Sequence, residues 1–541
     1  MENNNYQIIN ISNNDEISSL SDTEIKTIGL LKLSDKKLSF DNYNIDKYIK
    51  HVNIMGLETT WAHILLYVTT NGCDGFLNPV NFGSLYEAGL AEKDKNDKKK
   101  SGQYYTPSDV ATLMASWLYE LDGINICDVG CGTGNLILSY LAILDQKEVT
   151  KLLYDKCVYL YDFDKIAITI AQYSIALIYG IKYLDKINVI YGDFLNYNIQ
   201  LPKNSKIISN PPYAKFESIS DEWLNSKIQS QTKEFYASFM EKIIESKRPA
   251  VIITPYSFLG GSKFQELRNL LSEYSGFIVA FDNVPGNIFN GRKHGVFNTN
   301  VANSVRAAIT VIQNINNIKG FRTTPLIRFK NEERNLLLDS ELLKRQLSKK
   351  YQRTNSKIKM FARCHKELED CFESWLTKST ITAKDFISSF ETQYILYMPN
   401  TCRYFTTASK KKLNRVGYLS ISVDEKDKYN YLYCLINSSF VYWWWRVYDG
   451  GITYPVGLFN SIPIFYSLLK VEDKVFFSQI SNKMISSEDD LTVTKLNAGN
   501  IQENIKFPKK YRDILNERFL TILSCNVDVS MFDLVHKNSF F

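Results

Sequence analysis

The chain is poor in the residues that hold metals or make covalent staples. It has five histidines, and its nine cysteines stand apart at positions 73, 127, 131, 157, 364, 371, 402, 434 and 525. No CxxC pair occurs, so no zinc spacing is present and no metal site is expected. Scattered single thiols read as free thiols of a reducing cytosol. The opening Met1-Glu2-Asn3-Asn4-Asn5 has neither a basic segment nor an apolar run, so no signal peptide is expected. No apolar stretch approaches the roughly 20 residues that span a bilayer. The sequence also has no internal repeat, which sets solenoid architectures aside.

What remains is a globular protein too long for one core. At 541 residues, two or three domains are expected. The chain is 45% hydrophobic and 23% charged, within the ordinary globular range. A net charge of +6 permits nucleic-acid binding without requiring it. Tyrosine (34) and phenylalanine (31) are abundant. That suits a protein that stacks on planar ligands, but AT-rich coding enriches the same residues.

Residues 1–100 read as a helical extension ending in a linker. Residues 60–68 and 83–90 are buried helical segments. Residues 92–100 include no apolar side chain and read as a solvated boundary, with a phosphate-contacting loop as the sharper alternative. The next helix is expected to start at Thr106, with Thr106 as N-cap, Pro107 at its first position and Asp109 in its first turn. An alternating α/β pattern then occupies 101–330. Strands end at Asp128, Asp162, Gly192-Asp193, Asn210 and Thr254-Pro255. Residues 277–281 and 305–312, joined without a helical pattern, are expected to pair antiparallel. Together they predict a seven-stranded doubly wound α/β sheet, with ligands at the strands' C-terminal edge.

Residues 331–541 read as an α+β domain of different character. Basic residues gather at Lys344, Arg345, Lys349, Lys350, Arg353, Lys357, Lys359, Arg363 and Lys366, and again at Lys410, Lys411, Lys412 and Arg415. Aromatics gather at Tyr431, Tyr433, Phe440, Tyr442, Trp443, Trp444 and Trp445. Interleaved basic and aromatic residues are what a DNA-reading module uses. The plainer alternative is a charged surface over an aromatic core. Asp424-Glu425-Lys426 has the residue types of a nuclease site, but a charged loop accounts for it, and cleavage of DNA is not expected.

The chemistry concentrates at four successive strand ends. Asp128-x-Gly130-x-Gly132-x-Gly134 is a nucleotide-type turn whose glycines let backbone approach a ligand. Asp162 can accept from ribose hydroxyls, as the acidic residue of dinucleotide folds does, and Phe163 can pack on an adenine face. Asp193 can accept from an amino group, with Phe194 as a lid. Asn210-Pro211-Pro212-Tyr213 forms a rigid platform. The prolines have no N–H, so their carbonyls lack a competing donor. The asparagine adds an amide oxygen and the tyrosine a flat face. That platform suits an exocyclic amine on a heteroaromatic base.

The order Gly102-x-x-Tyr105-Thr106-Pro107, the Gly130–Gly134 loop, Asp162, Gly192-Asp193-Phe194 and Asn210–Tyr213 resembles the gamma-class DNA adenine-N6 methyltransferases of bacterial restriction–modification and related defence systems. Gly83-x-Leu85-Tyr86-Glu87 is similar to the helical extensions of that group. The resemblance covers about residues 80–315. Beyond it, only Leu435–Trp443 is similar, to a target-recognition segment. The resemblance implies a cytoplasmic enzyme of bacterial type that uses S-adenosyl-L-methionine on double-stranded DNA, with a separate restriction or specificity subunit as a candidate partner. It implies that Tyr105, Thr106, Pro107, Asp128, Gly130, Gly132, Gly134, Asp162, Phe163, Asp193 and Phe194 form the cofactor site. Asn210, Pro211 and Pro212 would hold the target amine and Tyr213 would stack on a flipped base. The opposite wall would be Phe289, with Phe297 as rival. Residues 331–541 would be the target-recognition domain.

Three other readings stay open at this stage. Cytosine-N4 methylation is a near neighbour, against which Asn210 argues. RNA or protein-amide methylation would use the same platform, but the large C-terminal domain disfavours it. A DNA-binding subunit of a defence complex that has lost turnover is the third, against which the intact Asn210 and Tyr213 argue.

Overall fold

The computed structural model describes residues 42–71, 79–93, 106–289, 305–315, 317–354, 359–497, 499–537 and 539. The chain divides into two compact units. The first comprises Met1–Phe321 and Phe329–Leu343, the second Arg322–Arg328 and Lys344–Phe541. Between Phe321 and Lys344 the chain passes from one unit to the other three times. Helices α1 (Asn42–Met55), α2 (Leu57–Asn71) and α3 (Phe82–Lys93) belong to the first unit. They share one core in which Tyr48, Trp61, Leu85 and Tyr86 pack with Ala167 and Ile170. Residues 94–100, most of the expected linker, lie outside the described residues.

The first unit is built on a sheet whose strands are short, nearly continuous apolar runs. Such runs suit strands covered on both faces. In chain order they are β1 (Asn125–Val129), β2 (Val158–Asp162), β3 (Asn188–Tyr191), β4 (Ser205–Ser209), β5 (Ala250–Pro255), β6 (Ser275–Phe281), β7 (Ala307–Ile312) and β8 (Gly320–Thr323). Their spatial order is β3-β2-β1-β4-β5-β7-β6-β8. β1 runs parallel to β2 and β4, β2 to β3, and β4 to β5. β7 is antiparallel to both β5 and β6, as expected for the closing pair. The sheet has eight strands where seven were predicted. The extra strand offers four residues, with Phe321 fully buried, and is too short for an alternating pattern to stand out.

Helices α4 (Ser108–Tyr119), α5 (Asn135–Ile143), α6 (Gln146–Tyr154), α7 (Lys165–Tyr179), α8 (Lys227–Thr232), α9 (Phe235–Glu245) and α10 (Gln265–Leu271) also belong to this unit. Several begin at strong local signals. Asp145 and Glu148 form a capping box at α6, and Asp164 caps α7 by accepting from Ile166 and Ala167. α4 begins one residue later than predicted: Pro107 is its N-cap and Ser108 its first residue. The order of strands reverses between β1 and β4. In a doubly wound sheet that switch point opens a crevice beyond the strands' C-terminal ends.

The second unit combines helices with two-stranded antiparallel pairs, such as Tyr394–Pro399 with Tyr418–Val423 and Thr492–Asn497 with Asn500–Ile505. Its core is strongly aromatic. α11 (Glu369–Lys378), α12 (Lys426–Asn437), α13 (Phe440–Tyr448), α14 (Val471–Ser486) and α15 (Lys509–Ile522) bring together Trp375, Tyr431, Phe440, Trp443, Trp444, Phe477 and Phe519. The aromatics singled out as candidate DNA contacts are all buried here, so the plainer alternative holds for them. Several of the basic residues are also engaged. Lys349 pairs with Asp370, Lys350 with Glu373 and Lys411 with Asp489, while Arg363 is buried and donates to the Val447 and Asp449 carbonyls. Lys357 lies outside the described residues. Asp424 and Glu425 pair with Lys428 at the start of α12, as a charged loop would. Among the described residues, no helix is long and apolar enough to cross a membrane.

Candidate active site

The crevice is bounded on one side by the turn after β1. Gly130, Gly132 and Gly134 all take positive φ (70°, 50° and 83°), the conformation that favours glycine. At Gly134 a Cβ would come within 2.9 Å of the Ala171 Cβ, so glycine here lets α5 seat against α7. Asp128 lies beneath this turn. It is fully buried, its Oδ2 accepts from the Ile137 amide at 3.1 Å, and burial pushes its carboxyl up to about 8. Asp128 thus braces the turn from below and does not open toward the crevice.

The end of β2 supplies the carboxylate expected there. Asp162 accepts from the Gly132 amide at 2.7 Å and from the Asp164 amide at 2.8 Å. Burial raises its carboxyl to about 6, opposed by those backbone donors. Phe163, next in sequence, is 58% exposed.

At the end of β3, Asp193 is exposed. Its Oδ1 accepts from the Leu195 amide and its Oδ2 from the Trp223 indole at 2.8 Å. Phe194 is not a lid. It is 3% exposed and packs against Tyr161 and Phe239, beneath the Lys242 ammonium. Lys242 also donates to the Phe194 and Asn196 carbonyls, at 2.6 and 2.7 Å. Burial lowers its ammonium to about 8. Trp223 and Lys242 thus fix the turn that presents Asp193. Neither stands out in the sequence: one is a lone indole in the segment after Tyr213, the other one lysine among many.

The Asn210–Tyr213 platform faces the glycine turn across the switch point. The Ser209 hydroxyl donates to the Val129 carbonyl at 2.6 Å and ties the two strand ends together. The Asn210 Nδ2 donates to the Thr106 Oγ1 at 3.0 Å. Thr106 is therefore not the cap of α4; its hydroxyl orients the platform's amide, and its carbonyl accepts from Asn135. With the amide nitrogen committed to Thr106, the opposite end of the group is the acceptor. A Cβ at Gly130 would meet the Asn210 carbonyl oxygen at 3.6 Å and the Pro211 Cα at 3.9 Å. The absence of a side chain there keeps a narrow cradle open between turn and platform.

Tyr213 is half-buried. Its hydroxyl donates to the Ile253 carbonyl at 3.4 Å, and its ring meets Tyr236 and Phe289 edge to face at 6.3 and 5.9 Å. Phe289 thus lies beside the platform, inclined at 70° to Tyr213. Its segment is pinned by Arg334, a buried side chain that sequence reading missed. Arg334 donates to the Asn287 carbonyl at 2.9 Å, to the Ile288 carbonyl and to both oxygens of Asp109. Burial would raise the Asp109 carboxyl, but the Arg334 hydrogen bonds and charge hold it below its usual range. Tyr105 and Phe297 lie outside the described residues.

The structure is a doubly wound α/β sheet with a glycine turn, a strand-end carboxylate and an Asn-Pro-Pro-Tyr segment around its switch point. A family model described as N-6 DNA Methylase matches residues 79–375, more than half of the sequence. The chain belongs to that family. The methylase subunit of the type I restriction enzyme MpnII from Mycoplasma pneumoniae is 23% identical over 227 residues, 39% of this chain and 40% of that protein. The chain thus matches well under two thirds of that relative's length. Among solved structures, a DrdV–DNA complex aligns with a TM-score of 0.47 at 11% identity, over 82% of this chain and 62% of the other. The type I restriction-modification methyltransferase subunit of Streptococcus thermophilus aligns with a TM-score of 0.33 at 14% identity, over 52% and 68%.

Proposed function

We propose that this chain transfers a methyl group from S-adenosylmethionine to N6 of adenine in DNA, as the modification part of a restriction–modification or related defence system. The observation that carries this reading is the Thr106–Asn210 contact. It orients a half-buried amide on the segment whose backbone lies beside Gly130, in a member of the N-6 DNA Methylase family.

The residues present fit the cofactor. The Gly130 cradle is open between turn and platform, Phe163 presents an exposed ring, and Asp162 stands at the end of the neighbouring strand. In this reading the glycine turn and Asp162 hold the ribose end, Phe163 packs on the adenine and Asp193 accepts from its amino group. Asp128 acts through the turn that it braces. When bound, S-adenosylmethionine supplies an already activated sulfonium methyl group.

The chain's own task is then orientation and electrostatics. The N6 lone pair of adenine is delocalised into the ring. Asn210 Oδ1 and the Pro211 carbonyl, accepting from the two amine protons, favour a pyramidal nitrogen with a localised lone pair. Pro212 stiffens the backbone that presents them. The amine is hidden within duplex DNA, so the base must be flipped out. Stacking on Tyr213 offsets part of the unstacking cost. The proximity of Phe289 to Tyr213 supports Phe289 as the opposite wall, though its ring must turn to lie parallel to a base.

In this reading the second unit contributes to target recognition, and a separate specificity or restriction subunit is a partner. Tritiated methyl transfer with the purified chain tests the core of the proposal. Label in DNA, recovered as N6-methyladenine after digestion, is expected. Label confined to RNA or protein would overturn it, as would N4-methylcytosine as the only product.

A further inference from the structure

The helix before the linker reaches the nucleotide turns directly. Gly83 and Tyr86 lie three residues apart on α3, and so on one helix face. A Cβ at Gly83 would sit 2.7 Å from the Thr133 Oγ1 of the glycine turn. A side chain at this position would oblige the Thr133 hydroxyl to shift. One turn along, the Tyr86 hydroxyl donates to the Asp164 Oδ2 at 2.6 Å. The other Asp164 oxygen, Oδ1, accepts from the Ile166 and Ala167 amides, and the Asp164 amide itself donates to Asp162 Oδ1. α3 is therefore tied by a hydrogen bond to the Asp164 side chain, and the Asp164 backbone in turn to the carboxylate at the end of β2. Burial, and then the Asp164 charge, hold the Tyr86 phenol well above its usual range, so it stays a donor.

We propose that α3 is a built part of the cofactor site, with Tyr86 as a positioning residue that sets Asp162, through Asp164, against a ribose diol, and Gly83 as the seat on the glycine turn. This rests on the cofactor reading given above. It gives the helical extension a role in recognising the nucleoside, one that covering the sheet would not require. Tyr86 touches no part of the ligand in this scheme. It acts by fixing a turn whose backbone donors and carboxylate must be in register.

The test uses the full chain and two probes in calorimetric titrations, S-adenosylhomocysteine and its 2′-deoxyadenosyl counterpart. The wild type is expected to prefer the ribose form. Tyr86→Phe is expected to bind S-adenosylhomocysteine roughly tenfold more weakly, the worth of one hydrogen bond to a charged group, and to lose much of that preference. In turnover the change falls in KM for S-adenosylmethionine rather than in kcat. Gly83→Ala, which forces Thr133 to move without touching Tyr86, serves as the second variant and is expected to weaken both probes. Wild-type affinity in Tyr86→Phe would overturn the proposal. So would an equal loss for both probes accompanied by a lower melting temperature, because that is the mark of a merely structural role. If the wild type binds neither probe, the cofactor reading itself fails, an outcome distinct from a normal wild type with an indifferent variant.

Discussion

At the scale of single residues, the site depends on which atoms are already committed. The Asn210 amide donates through its nitrogen to Thr106, and in the proposed reading its oxygen is the end that receives the amine. Asn210→Ala is expected to lower kcat by about 10²–10³-fold, the usual cost of removing one oriented polar group that acts in the transition state. S-adenosylhomocysteine binding should be nearly unchanged. Equal losses in both would place Asn210 in the cofactor site instead. Thr106 shows where local signals mislead. A threonine before a proline fits an N-cap, and cap preferences are local. The side chain was recruited instead by Asn210, 104 positions away, a contact with no local signature. Asp162 gives a prediction in pH. Its carboxyl is raised to about 6 in the folded chain, above the usual aspartate value, so the fold itself favours the neutral form. Ionising it therefore costs stability as pH rises through about 6. Ribose hydroxyls donate better to the ionised form. Cofactor affinity is expected to fall as pH drops below about 6, and Asp162→Asn should bind weakly and lose that pH dependence.

At the scale of elements, the strands and the turns at their ends were legible because each is an apolar run stopping at a distinctive residue. β1, β2, β3 and β4 deliver the glycine turn, Asp162, Asp193 and Asn210 to one edge, as the alternation of runs and motifs predicts. The ties between those turns were not legible. Trp223, Lys242 and Arg334 are solitary polar side chains, and only the folded chain shows which carbonyl or carboxylate each one meets. Arg334 joins two elements that each reach the platform, one through Thr106 and the other through Phe289. It grips Asp109 at the start of α4 and the Asn287 and Ile288 carbonyls next to Phe289. Arg334→Lys keeps the charge beside Asp109 but loses the planar fork that reaches both carbonyls. Release of the Phe289 segment is expected to lower kcat/KM for DNA by roughly 10–100-fold at saturating cofactor, since small misplacements of positioning groups carry costs of that order. Cofactor affinity should hold. A loss of cofactor binding with normal DNA kinetics would assign Arg334 to the other side of the site.

At the scale of the whole molecule, composition alone could not separate two uses of aromatic residues. The abundance of tyrosine and phenylalanine fits ligand stacking and core filling equally well. The fold divides them: Phe163 stands open after the end of β2, whereas the run Phe440–Tyr448 is buried along its whole length as α13. Trp443 meets Phe372, Trp375, Phe440 and Phe532 within that core. If the second unit reads DNA, it does so from its surface, and its tryptophans set stability rather than contact. Trp443→Ala removes a fully buried indole and is expected to cost about 3–5 kcal/mol, as large-to-small core substitutions do. Denaturant unfolding followed by tryptophan fluorescence and far-UV circular dichroism should show an earlier transition. At temperatures where the variant remains folded, DNA affinity should match that of the wild type. Weakened DNA binding with an unchanged unfolding midpoint would instead make Trp443 a contact residue, contrary to its burial in the core.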